Sequence, residues 1–277
     1  MTDLVERLVP DDLWVLFRRV VPATEVIRPQ GGGRRRAGDR EALAAIIFLA
    51  TSGCTWRQLP PVFGPSWQTA YRRFAQWSRA RVWARLHRVV LDELGTRGEL
   101  DWSRCAIDSV SLRATKGGHL TGPNPTDRGK LGSKIHLITD RNGLPLSLGI
   151  SAANMHDSQG LQPLVRGIPP IRSPRGPRRR RPAKLHADKG YDYDHLRRWL
   201  RKRGICHRIA RKGIESSQRL GRHRWVVERT VSWLAGCRRL HRRYERKAEH
   251  FLAFVGIAAA LICHRRLVRV DGQDQSA

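Results

Sequence analysis

SRCAIDSVSL, residues 103–112, is where the chain changes character. It reads as a β-strand with Asp108 in its second half, after a hundred residues of helical periodicity. The strand signal continues beyond it. KGGHLTGPNPTDRGKLG (116–132) is a Gly-rich polar loop, KIHLIT (134–139) alternates, and Asn142-Gly143 marks a tight hairpin into 146–151. Asp157 is placed to cap a helix running to about Val165. Three strands in meander order followed by a helix open a mixed sheet, not a dinucleotide-binding one.

Further on, IPPIRSPRGPRRRRP (168–182) has no periodicity and is expected to be a solvated loop, lying where DNA would pass. A short strand at 184–187 ends at Asp188, and a helix follows over 193–202, then a strand over 205–209. RHRWVVERTVSWLA (222–235) reads as a helix whose apolar stripe is Val227, Val231 and Leu234. Glu228 sits beside that stripe with Arg224 one turn before it, so an acid at the edge of a buried face can point into a cleft. A long apolar helix over 248–266 is expected to cross the domain.

Upstream of the first strand, a helix is predicted over 11–21, and RPQGGGRRR (28–36) is a Gly/Arg loop. Asp39 stands before an apolar helix over 40–51, and Ser66 is an N-cap for WQTAYRRFAQWS (67–78). That last helix carries Trp67, Ala70, Phe74 and Trp77 on one face and Gln68, Thr69, Arg72, Arg73 and Gln76 on the other. Helix, turned segment and polar-fronted helix make a helix-turn-helix layout. Gln68 and Arg72 are side chains that read base edges, and Arg73 suits a phosphate. A closing helix at 83–94 and the linker 95–98 divide the chain into 1–98, a helical DNA-binding domain, and 99–277, an α/β (mixed) catalytic domain.

Composition narrows the partner. Lys and Arg number 53 against 24 Asp and Glu, a formal charge of +29, which calls for a polyanion. A membrane is disfavoured: the apolar runs 42–50 and 251–263 are too short to span, and no signal peptide opens the chain. The five cysteines form no CxxC pair, which argues against a zinc ribbon or disulfide framework and fits a reducing cytosol, with the protein cytoplasmic and nucleoid-associated.

Asp108, Asp188 and Glu228, spaced by 80 and 40 residues, come from two strand ends and one late helix. Carboxylates so gathered repel one another unless cations relieve them. Three of them can hold two hard divalent ions through oxygen, the arrangement that supports in-line phosphoryl transfer. Lys134 and His136 share a strand face from which the lysine can approach a phosphate, and Trp225 is placed to stack an unpaired base.

The blocks DSV (108–110), SKIHLITD (133–140), ANMHDS (153–158), HADKGYD (186–192) and RWVVERTVSWL (224–234) resemble the DDE transposases of bacterial insertion sequences, in the branch typified by the fifth insertion sequence. TWRQLPPVFGPSWQTAYRRFAQW (55–77) resembles the DNA-binding region that opens those proteins. The resemblance covers nearly the whole chain. It implies an RNase H-like catalytic domain behind an all-α helix-turn-helix-type domain. It also implies cleavage at terminal inverted repeats to free 3′ hydroxyls, and transfer of those ends to target DNA.

By the same resemblance Asp108, Asp188 and Glu228 are the catalytic, metal-binding triad for Mg²⁺, with Mn²⁺ able to substitute. Arg224 contacts a phosphate near the cut, and Gly190 and Tyr193 match the glycine and aromatic after the second aspartate. Two positions depart from the family pattern: Gly221 replaces a tyrosine and Ala235 a basic residue. The expected partner is double-stranded DNA, held by a homodimer or higher oligomer because two ends must meet. Two competing readings are a DNA-binding regulator or inactive copy that does not cleave, and an RNase H-like nuclease.

Overall fold

The computed structural model describes residues 4–23, 37–214 and 217–274, without the side chains of 217–224 and 272–274. The predicted Gly/Arg loop 28–36 therefore lies outside the described residues. Helices α1 (Leu4–Leu8), α2 (Asp11–Arg18), α3 (Asp39–Ser52), α4 (Trp67–Arg79) and α5 (Val82–Thr96) come first. Then follow β1 (Cys105–Arg113), β2 (Gly122–Pro123), β3 (Leu131–Thr139), β4 (Pro145–Ala152) and α6 (Ser158–Gly167). The chain closes with β5 (Lys184–Ala187), α7 (Asp194–Lys202), β6 (Cys206–Ile209), α8 (Ser217–Ala235) and α9 (Ala248–Asp274).

The strands form one sheet in which β1 is central. On one side β3 pairs antiparallel with β1 and β4 antiparallel with β3, while the short β2 pairs the start of β3. On the other side β5 runs parallel to β1, and β6 parallel to β5. An antiparallel meander continued by two parallel strands is the mixed α/β, RNase H-like sheet expected. The Asn142-Gly143 hairpin is present, with Gly143 at φ 89°, a left-handed conformation that glycine adopts without strain.

Side chains alternate across the two faces of the sheet. One face, carrying His136 and Gly149, is covered by α6. A Cβ on Gly160 would stand 2.9 Å from His136 Nδ1, and one on Gly149 would stand 3.5 Å from Leu164. The opposite face is covered by α8, which packs on β1 and β3, and by α9, which packs on β4. α9 also packs against α3, α4 and α5, burying Phe251, Phe254, Val255 and Ala258. The hydrophobic core is therefore continuous across residue 98, and the two predicted regions share it.

Several expectations need correction. The final helix is longer than predicted and by length and composition could cross a membrane, yet 72% of its apolar window is buried inside the protein. It therefore serves as a core helix. Asp39 is the first residue of α3 rather than standing before it, Gly38 is the N-cap, and Asp39 pairs with Arg73 at 2.9 Å. The arginine-rich loop 168–182 is anchored rather than freely solvated. Ile171 and Arg179 exchange backbone hydrogen bonds, and Arg178 pairs with Asp92 of α5 at 2.8 Å.

The turn between α8 and α9 is built on buried arginines. Arg239 donates from Nε and a terminal nitrogen to Glu245 Oε1 at 2.9 and 2.7 Å, and also to the Cys54 carbonyl at 3.0 Å. Both side chains of the pair are under a tenth exposed. Removing one partner of such a pair strands the other charge. Glu245→Ala is therefore expected to lower unfolding free energy by about 3–5 kcal/mol, read from chemical denaturation; a change below about 1 kcal/mol would rule this out.

Burial lowers the pKa of both His87 and His136 to about 4. His87 Nε2 lies 2.8 Å from the Pro145 carbonyl, joining α5 to β4. Both rings are neutral in the folded state, whereas the unfolded chain protonates them near pH 6.5. The unfolded state thus binds more protons, and stability falls as pH drops from about 6.5 to about 4. Asp140, raised to about 6 by burial, takes up a proton in the folded state and offsets part of that loss. His87→Gln is expected to flatten the acid limb of a stability–pH curve measured by thermal unfolding.

Candidate active site

The parallel register fixes the centre of the site. Cys105 lies opposite Leu185 and Ala106 opposite His186, an offset of 80 residues. Continued by two residues, the same offset sets Asp108 beside Asp188, one within β1 and the other just past the end of β5. Asp108 faces Leu137 in the antiparallel pairing, on the face away from α6 and toward α8. Both aspartates are half-buried.

Asp188 is oriented by its own turn. Its Oδ1 accepts the Gly190 N–H at 2.9 Å, capping the 3-10 turn Lys189–Tyr191. A Cβ on Gly190 would stand 3.0 Å from that oxygen, so glycine keeps the carboxylate's position open. This gives the glycine of the ADKGYD block a physical role. Tyr193 sits edge-on to His156, with ring centres 5.7 Å apart, on the rim of the site.

Glu228 stands exposed on α8, while Val227 and Leu234 of the predicted stripe are buried and Val231 packs partly buried against the core. The helix is seated by the hairpin. Thr230 Oγ1 donates to the Gly143 carbonyl at 2.6 Å, and Arg229 donates to the Asn142 carbonyl at 2.7 Å. Arg229 also lies between the rings of Trp225 and Trp233, at 4.5 and 4.6 Å, and Trp225 is 49% exposed. Arg224 and Gly221 fall among the side chains outside the described residues.

Asp108 and Asp188 supply hard oxygen donors from neighbouring strand ends, the chemistry that Mg²⁺ and Mn²⁺ take. Among the described residues no three or more His, Cys, Asp and Glu side chains are grouped closely enough to hold an ion. The parallel register leads to the two aspartates, and Glu228 is exposed on α8.

Two predicted phosphate contacts are otherwise engaged. Lys134 Nζ is held by Asp157 Oδ1 and the Met155 carbonyl, both at 2.8 Å, with its side chain 13% exposed. Arg73 is buried and bonded to Asp39 and the Ala37 carbonyl, so it ties α4 to the start of α3. Gln68 and Arg72 remain exposed on α4, and Ser66 caps that helix through Thr69 N–H as predicted. The connection from Gly53 to Ser66 carries two 3-10 turns, Trp56–Gln58 and Pro61–Phe63.

The sequence reading missed a polar cluster next to Asp108. Ser109 Oγ donates to Asp157 Oδ1 at 2.7 Å, and Lys134 donates to the same oxygen. Asp157 was expected to cap α6, but its side chain makes no cap bond and reaches back to β1 and β3. Burial alone would raise this carboxyl; the Lys134 and Ser109 hydrogen bonds outweigh it and hold the pKa below the usual Asp value. A second missed group is a basic cleft near the start of β5. Lys184 and His186 share one face of that strand, with Arg208 opposite His186 and Arg104 and Arg141 lining the same cleft.

Comparison with known proteins completes the assignment. Residues 102–263 match the family described as a transposase DDE domain, and residues 9–87 match one described as a transposase of the IS4/5 family. The transposase named for insertion sequence element IS402 of Burkholderia cepacia is 49% identical over 151 residues, 54% of this chain and 72% of that protein. The IS1106 transposase of Neisseria meningitidis serogroup B is 27% identical over 140 residues, 47% of this chain and 43% of that protein. Among solved structures, the pre-cleavage Mos1 transpososome aligns over 86% of this chain and 81% of its own, at 12% identity and a TM-score of 0.28, too low to add to the argument.

Asp157→Ala is expected to strand the Lys134 ammonium against the sheet and lower stability by about 2 kcal/mol, discounted for the partial exposure of Asp157. Because the folded pKa of Asp157 is depressed, the contribution is present above about pH 4 and lost as pH falls through the folded value. Urea denaturation at pH 7 and pH 3 measures both; equal losses at the two pH values would contradict the assignment. With the transposase DDE domain match spanning residues 102–263 and so the whole sheet, this chain belongs to the DDE transposase family.

Proposed function

We propose that the protein binds the terminal inverted repeats of its insertion sequence, cleaves there to free 3′ hydroxyl ends, and transfers those ends to target DNA. The observation that carries the reading is the 80-residue parallel register of β1 with β5, which leads toward Asp108 and Asp188, in a DDE-family chain. These two residues and Glu228 are the proposed ligands of two Mg²⁺ ions, with Mn²⁺ able to replace them. Bound ions would stabilise the attacking and leaving oxygens of the phosphoryl displacement.

The chain's other residues position the DNA. Arg224 is proposed to contact a phosphate beside the cut. Residues 1–98 are proposed as the DNA-binding domain, with Gln68 and Arg72 reading base edges from the exposed side of α4, and residues 99–277 as the catalytic domain. Arg73 and Lys134 act indirectly, by fixing α3 against α4 and Asp157 against β3. Two element ends must be joined, so the reacting species is a homodimer or larger on double-stranded DNA.

A second reading is a DNA-binding protein that does not cleave. It draws support from Gly221 and Ala235 at accessory positions. An excision assay on a supercoiled plasmid carrying the native flanks decides between them, comparing the wild type with Asp188→Ala in Mg²⁺, Mn²⁺ and EDTA. Metal-dependent nicks at the repeat boundaries, reduced by at least about 10²-fold in the variant, are the expected result. Specific binding without cleavage in any metal would support the second reading, and cleavage indifferent to the ends would point to a nuclease.

A further inference from the structure

At the far end of the sheet from Asp108 and Asp188 lies a cleft of about 620 Å³ whose walls are almost wholly cationic. It is lined by Arg166, the four arginines at 178–181, Lys202 and Arg203, with Val165 and Ile205 at its base. α6 and α7 both end here, and the cleft borders the start of β5, whereas Asp188 follows the end of β5. Between Arg181 and Asp188 the chain runs seven residues, roughly 20 Å when extended. The cleft and Asp188 thus lie at opposite ends of β5.

The cations are held in place by short tethers. Arg180 donates to the Arg166 carbonyl at 3.0 Å and Arg181 to the Arg203 carbonyl at 3.2 Å, each near a helix C-terminus. Such capping accounts for those two arginines, and Asp92 for Arg178. Among the described residues no other carboxylate is bonded to any of the seven. So many like charges around one cleft repel one another unless a polyanion occupies it.

The aromatic rings nearby discriminate between polyanions. Single strands are held by stacking bases on open rings. Here Trp199 is covered by Arg203 at 4.3 Å and Arg166 at 5.6 Å, and Trp102 is covered by Arg179 at 5.6 Å. The cleft offers guanidinium and ammonium donors with no free ring face, which suits a phosphate backbone and not bases.

We infer that this cleft is a second DNA site, one that grips the backbone of duplex DNA away from the bond being cut and without regard to sequence. The inference rests on the reading of the chain as a protein that acts on DNA. It adds a contact that the catalytic mechanism does not need, which would hold the distal stretch of an element end or of the target.

The test is duplex binding by the full chain across a salt series. Each phosphate contact adds about 0.9 to the slope of log affinity against log salt. Arg180→Gln with Lys202→Gln is expected to lower the slope magnitude by about 2 on duplexes of unrelated sequence. Lys202→Glu, a single exposed change with no tether to break, should also lower it even if the double variant folds poorly. Arg265→Gln with Arg269→Gln, which removes the same charge from exposed positions on α9, should leave the slope unchanged. An unaltered slope in the cleft variants, or an equal fall in the control, would overturn the inference while leaving DNA binding intact. A loss seen on single strands and not on duplexes would overturn it too. If the wild type binds no DNA at all, the reading of the protein as a DNA transposase falls first.

Discussion

The parallel pairing of β5 with β1 is the constraint on which the catalytic end of this protein depends. Residues 80 apart in sequence are locked opposite each other by backbone hydrogen bonds. A one-residue slip would move Asp188 off Asp108 and turn the β5 side chains to the other face. Leu185 and Ala187, fully buried on the alternate face, oppose such a slip because it would expose them. The burial of two small apolar side chains on a four-residue strand thereby sets the position of an acid beyond its end.

The rest of the structure acts on that pair through two covering layers. On one face α6 packs over His136, and the Asp157 link to Ser109 and Lys134 joins the start of α6 to the strands beside Asp108. On the other face α8 is fixed to the β3–β4 hairpin by Thr230 and Arg229. The turn after it is pinned by the buried Arg239–Glu245 pair and by Arg243, which donates to the carbonyls of His119 and Leu120 and to Ser133. The Gly-rich loop before β3 is thus tied to the same turn that ends α8. Anything that moves α8, and Glu228 with it, must work against these buried hydrogen bonds.

Charge is distributed unevenly over this frame. Some of the excess cations are structural: Arg73, Arg239 and Arg243 are buried and fully engaged. Others collect on two surfaces, a cleft lined by Lys184, Arg104, Arg141 and Arg208, and the arginine cleft bordered by the ends of α6 and α7. Net charge announces a polyanion but does not say where it lies. Only the fold shows that the loop 168–182 is folded against α5 and that its arginines meet those from α6 and α7.

The sequence by itself determined the element types, because hydrophobic periodicity and turn residues are local signals. The strand at Cys105–Arg113, the Asn142-Gly143 hairpin, the Ser66 cap and the DDE blocks were all legible there, and with them the family. Local signals do not reveal partners distant in sequence. Asp157 lies 48 residues from Ser109 and Arg73 lies 34 from Asp39, so a cap was expected for one acid and a phosphate contact for the arginine. Tertiary structure alone decided those pairings and the single core shared across residue 98. Each depends on how helices seat on the sheet, and that is set by burial summed over the whole chain.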